Sequence, residues 1–139
     1  MSKLVYITRR ERFSAAHKLS VDEWSEEKNY EVFGKCANPM WHGHNYNLFV
    51  TVKGEPNPKT GFVVDLSDLS ILIKDKVIQH VDHKNLNLQT PFLKGIMAST
   101  ENIAIGIWEQ IVDDIKTMGG ELHCVRLEET ENNYVEYYG

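Results

Sequence analysis

The sequence predicts an α+β fold in which two helices cover one face of an antiparallel sheet. Three observations point to it. Strand-like runs rich in Val, Ile, Thr, Tyr and Phe lie toward both ends of the chain. Two central segments repeat apolar residues every three or four positions, the period of a helix packed on one side. Breaker-rich turns separate these runs, and no repeat or low-complexity tract interrupts them.

Residues 3–16 read as the first strand. A polar, acidic stretch over 20–41, with Gly34, Asn38 and Pro39, reads as a loop. In 44–53 the alternation of His44, Tyr46, Leu48, Val50 and Val52 places them on one strand face. A turn over 54–61 carries two glycines and two prolines. The first helix spans 65–81, with Leu66, Leu69, Ile73, Val77 and Val81 as its apolar stripe and Asp65 as its cap. The second spans 100–117, with Ala104, Ile107, Trp108, Ile111 and Ile115 inward, Ser99 as its cap, and Gly119 and Gly120 ending it. Strands at 121–129 and 133–138 close the chain. The expected order is therefore ββααββ, a four-stranded antiparallel sheet in one domain over residues 1–139. Both edges of such a sheet stay open, which predicts that copies of the chain associate.

Composition narrows the function. With 139 residues, 42% apolar and 25% charged, the chain is long enough to bury a core. Its net charge of -5 argues against a nucleic-acid partner, whose binding domains are normally basic. No apolar run approaches the roughly 20 residues that span a bilayer, and the N-terminus does not read as a secretory signal. Two cysteines, Cys36 and Cys124, suit a reducing cytoplasm rather than a disulfide scaffold. An anionic ligand would need a local basic pocket, for which Arg9, Arg10, Arg12, Lys18, Lys35 and Lys84 are candidates.

The residues that carry chemistry start with MWHGHNY, at 40–46. Strand residues two apart share a face about 6.6 Å from one another, so His42 and His44 aim their rings to one side. His17 ends the first strand, and an antiparallel neighbour would carry it to the same spot. Three imidazoles with an open fourth position are the pattern of a catalytic zinc site, and a fourth protein ligand would make it structural. Cys36, six residues before His42, is either that fourth ligand or a base beside the metal, its thiolate favoured by positive charge. Asp82-His83 offers a carboxylate-paired imidazole, the arrangement of a tuned acid or base. Glu129 shares strand parity with Val125 and Leu127, which turns a carboxylate toward the covered face, where a ligand edge with two N–H donors would satisfy it. His80 and His123 read as structural or solvent-facing, and Cys124 as inert core.

Taken together these residues resemble the 6-pyruvoyltetrahydropterin synthase family. FSAAH (13–17), the FGKCANP and HGHNY pieces of 33–46, VDHKNLN (81–87), STEN (99–102) and ETENN (129–133) stand in that family's order and spacing. The resemblance implies zinc held by His17, His42 and His44. It implies Cys36 as the base working with Asp82 and His83, Glu129 as the pterin anchor, and Thr100 and Glu101 lining the pterin pocket. It also implies the tunnelling fold, with trimers closing a barrel and pairing into a homohexamer whose sites lie between subunits. The implied substrate is a small pterin triphosphate, 7,8-dihydroneopterin triphosphate, converted in the cytoplasm to 6-pyruvoyltetrahydropterin with release of triphosphate.

Two positions depart from the family pattern. Trp41 stands where a glycine usually precedes HGHNY, and Glu128 precedes Glu129 where an apolar residue is common. The nearest alternative is the 6-carboxytetrahydropterin synthase of queuosine synthesis, in which the cysteine lies four residues before the first histidine rather than six. A non-catalytic zinc module with Cys36 as fourth ligand is the alternative of a different class.

Overall fold

The computed structural model describes residues 3–139. Five strands form one mixed sheet in the order β3-β1-β2-β4-β5. They are β1 (Val5–His17), β2 (His42–Gly54), β3 (Lys84–Asn85), β4 (Glu121–Glu128) and β5 (Tyr134–Tyr137). Four of them pair antiparallel as expected, and the fifth, β3, adds a short parallel bridge from Ala15 and Ala16 to Lys84 and Asn85. The four-stranded sheet and the ββααββ order are thus corrected. Two residues are too few to leave a strand-like period in the sequence, so β3 had no signal to read.

The expected loop over 20–41 also contains structure. Helix α1 (Glu26–Phe33) and a 3-10 turn (Gly34–Ala37) fill it. Ser25 caps α1 by accepting from the Lys28 amide at 3.1 Å, and Glu26 and Glu27 sit in its positive first turn. That cap and those acids were a usable signal. What hid the helix was the lack of an apolar stripe, since α1 buries no residue in this chain.

The expected helix over 65–81 runs as α2 (Leu66–Ile73), a π turn (Lys74–Ile78) and α3 (Gln79–Val81). Leu69, Ile73, Val77 and Val81 recur every four residues and all are fully buried. An α-helix turns once per 3.6 residues, so each such step carries the stripe about 40° off the core. The wider π turn cancels part of that drift and keeps all four side chains facing inward. Helix α4 (Thr100–Thr117) matches the expected second helix and buries Ile103, Ile107, Ile111 and Ile115 against the sheet. Ser99 accepts from the Asn102 amide at 3.2 Å, and Gly119 ends α4 at φ +100.

One face of the sheet meets these helices through Tyr46, Leu48, Val50, Val52, Leu122, Val125 and Leu127, in a single apolar cluster. A bulge in β4, between the partners of Thr51 and Val52, lets both Leu122 and Val125 face that cluster. Cys124 is consequently buried opposite Thr51, outside the main core. The other face is polar, with a Thr8–Thr51 hydroxyl pair at 2.8 Å and Arg126 lying 3.7 Å over the Tyr134 ring. Among the described residues no helix is long and apolar enough to cross a membrane.

Candidate active site

The β1–β2 register builds a cluster of three imidazoles. His17 pairs directly with His42, and Ala15 with His44, so all three imidazoles leave the sheet on the core side. Their ring centroids lie 4.4 Å (17 to 42), 5.1 Å (17 to 44) and 4.9 Å (42 to 44) apart. One ring nitrogen from each falls within 4.8 Å of the other two. His17 Nδ1 donates to the Ala98 carbonyl at 2.7 Å, which leaves the Nε2 lone pair free on the inner side. Nε2 of His17, both nitrogens of His42 and Nε2 of His44 are buried without a hydrogen bond among the described residues. Buried nitrogens without partners, gathered this closely, are what a divalent cation would satisfy. The donor set therefore fits a metal ion. Cys36 does not belong to the cluster, so the closed four-ligand arrangement finds no support.

Electrostatics favour the same use. Burial lowers the pKa of all three histidines. Neighbouring imidazoles add to the lowering at each, while the Glu129 carboxylate opposes it. The rings are thus neutral at physiological pH, the form that binds metal.

Glu129 sits beside this cluster. Its backbone amide donates to the Asn133 carbonyl at 3.1 Å, closing the turn between β4 and β5. Its Oε1 lies 3.3 Å from His44 Nε2, and its Oε2 accepts a hydrogen bond from the Thr100 hydroxyl. Thr100 is buried at the first turn of α4, whereas Glu101 is exposed there. Strand alternation sends Glu128 the other way, to the polar face, where its Oε2 accepts from Arg126 at 3.1 Å.

A cavity of about 1060 Å³ opens next to His42 and His44. Cys36 lines it from the 3-10 turn, and Lys18 and Lys35 share the wall with the acidic Asp22, Glu26 and Glu27. Asn29 of α1 holds the wall together by bonding the Val21 amide at 2.8 Å and the Val21 carbonyl at 3.1 Å. Burial, with Glu129 nearby, raises the Cys36 pKa, so the thiol is not activated by its surroundings within this chain.

Asp82 and His83 lie elsewhere. They precede β3, and His83 borders a smaller cavity of about 450 Å³ that shares only His44 with the first. Asp82 Oδ1 accepts from the Ser14 amide at 3.0 Å, and its Oδ2 lies 3.0 Å from His83 Nδ1. Burial is the largest single influence on Asp82 and raises its pKa, but the bonds from Ser14 and His83 together outweigh it and hold the carboxyl below its usual range. His83 adopts φ +58 with its side chain 82% exposed, so the carboxylate–imidazole pair turns outward.

Comparison with known proteins decides the family. The model of the family described as 6-pyruvoyl tetrahydropterin synthase matches residues 6–139. The chain belongs to that family. It is 44% identical to the 6-pyruvoyl tetrahydrobiopterin synthase of Dictyostelium discoideum, covering 100% of this chain and 99% of the relative. It is 42% identical to that of Homo sapiens, over 96% of this chain and 90% of the relative. The 6-pyruvoyl tetrahydropterin synthase structure from Caenorhabditis elegans superposes with a TM-score of 0.88 at 37% identity, covering 99% of this chain and 97% of that one. Trp41 occupies its site at φ +67, a left-handed backbone that favours glycine. The Lys18 ammonium lies 5.2 Å over its indole ring.

Proposed function

We propose that this single-domain chain is a zinc-dependent lyase that converts 7,8-dihydroneopterin triphosphate to 6-pyruvoyltetrahydropterin and triphosphate, in cytoplasmic tetrahydrobiopterin synthesis. The observation that carries the reading is the cluster of three neutral imidazoles with unpartnered nitrogens, bordered by the Glu129 carboxylate and opening on a cavity lined by Cys36.

His17, His42 and His44 would hold the zinc, which would supply Lewis-acid polarisation of the side-chain hydroxyls and lower the pKa of groups beside it. Glu129, steadied by Thr100, takes the two N–H donors of the pterin edge and fixes the ring. Cys36 then takes the proton from the adjacent carbon of the side chain. Asp82 holds His83 through Nδ1, leaving Nε2 to carry protons to and from the hydroxyls. Triphosphate leaves as the side chain rearranges, so no external redox partner is needed. Lys18 and Lys35 suit the anionic tail.

An outward-turned Asp82–His83 pair fits a site completed by a neighbouring subunit. The open sheet edges and the polar uncovered face fit the barrel of the tunnelling fold, with six chains in a dimer of trimers. Incubation of the zinc-loaded protein with 7,8-dihydroneopterin triphosphate tests the reading. Stoichiometric triphosphate and 6-pyruvoyltetrahydropterin are expected. Carboxytetrahydropterin with acetaldehyde would instead assign the queuosine-type reaction.

A further inference from the structure

Four side chains at the base of the site carry buried polar atoms with no partner among the described residues. Three are the imidazoles, and the fourth is Tyr46, through its hydroxyl. A cation accounts for one nitrogen of each ring and leaves the second His42 nitrogen and the Tyr46 hydroxyl unexplained.

Tyr46 is fully buried, two residues beyond His44 on the same strand face. Its ring stacks on Phe13, its register partner, with centroids 4.8 Å apart and planes at 13°. It meets His44 edge-on at 5.7 Å and His17 at 6.2 Å. The Glu129 carboxylate and the Cys36 thiol both lie near enough to act electrostatically on its hydroxyl. Packing alone does not call for that oxygen. Phenylalanine would keep the Phe13 stack and avoid burying an unbonded hydroxyl, and such groups in native structures demand a reason.

We propose that the Tyr46 hydroxyl is a substrate-binding group, the hydrogen-bond partner of a side-chain hydroxyl on a polyhydroxylated pterin seated against the three histidines. This rests on the pterin reading above and adds a contact to it. A phenol both donates and accepts, so it suits an alcohol oxygen that also does both. The hydroxyl stays unbonded in the free chain because its partner belongs to the ligand.

The test compares wild type with Tyr46→Phe, both loaded with zinc, in binding neopterin, which has three side-chain hydroxyls, and 6-methylpterin, which has none. The metal-free proteins are also melted. Tyr46→Phe is expected to melt at or above wild type, to hold the same zinc, and to bind 6-methylpterin equally. It is expected to lose about tenfold in affinity for neopterin, the scale of one hydrogen bond. Equal neopterin affinity in the two proteins would overturn the proposal. So would a melting point several degrees lower, which would reveal a partner within the protein, or an equal loss for both pterins. Wild type binding neither pterin would remove the functional reading and this contact with it.

Discussion

Acid should destabilise the metal-free protein through its three histidines, and the effect can be worked out. Burial lowers each of their pKa values in the folded state, while the unfolded chain titrates near 6.5. A depressed imidazole pKa means that the unfolded state binds more protons. Stability is therefore complete above about pH 6.5 and falls as pH drops toward the folded values. Each proton taken up only on unfolding contributes about 1.4 kcal/mol per pH unit, so three give a limiting slope of about 4 kcal/mol per unit. Repulsion between the clustered rings spreads their titrations, which puts the expected slope between about 1.4 and 4 kcal/mol per unit from pH 6.5 to 5.5. With a urea m-value of about 2 kcal/mol/M, the midpoint moves by roughly 1–2 M over that unit. Urea unfolding of chelator-treated protein at fixed concentration from pH 8 to 5 measures it, and His44→Gln should remove about a third of the slope. A midpoint that stayed level between pH 7.5 and 5.5 would mean that folding does not suppress protonation of these rings, and the account of the site as a preformed neutral metal clamp would fail.

Four further predictions bear on the site and its border. Cys36→Ala should keep zinc and melting temperature while losing at least about 100-fold in turnover, the scale of a lost general base. In metal-free wild type, alkylation of Cys36 should be slow at neutral pH and rise only in alkali, because its pKa is raised. Thr100→Val should raise KM for the pterin about tenfold, as expected when a hydrogen bond to a carboxylate worth about 1.5 kcal/mol is lost, with a smaller change in kcat. At position 41, Trp→Gly should be more stable than Trp→Ala by about 1 kcal/mol in urea unfolding. Both lose the contact with Lys18, but only glycine relieves the left-handed backbone.

The sequence foretold those parts of the molecule whose signals are periodic or local. Helix α4 and the caps at Asp65 and Ser99 emerge where spacing and capping residues put them. The meeting of His17 with His42 and His44 followed from strand alternation and one antiparallel pairing. Glu129 turned toward the covered side because parity with Val125 and Leu127 required it. What escaped notice depended on tertiary context. Helix α1 has no buried stripe, and β3 exists only because Ser14 and Ala16 offer carbonyls to the His83 and Leu86 amides. Burial and the nearby Glu129, which together raise the Cys36 pKa in the metal-free chain, depend on tertiary packing that the sequence does not display. The separation of Cys36 from His83 reflects which side of the sheet each segment ends on, and spacing along a chain carries no such information.

The short parallel bridge gives two distant functions a common mount. Ser14 binds Asp82 through its amide and His83 through its carbonyl, across 68 positions of sequence, and His17 follows three residues later on the same strand. The Asp82–His83 pair and the first of the three clustered histidines thus cannot drift independently. Fraying at the end of β1 would misalign both at once, so inactivation should arrive as one cooperative event rather than as separate losses of metal and of acid–base competence.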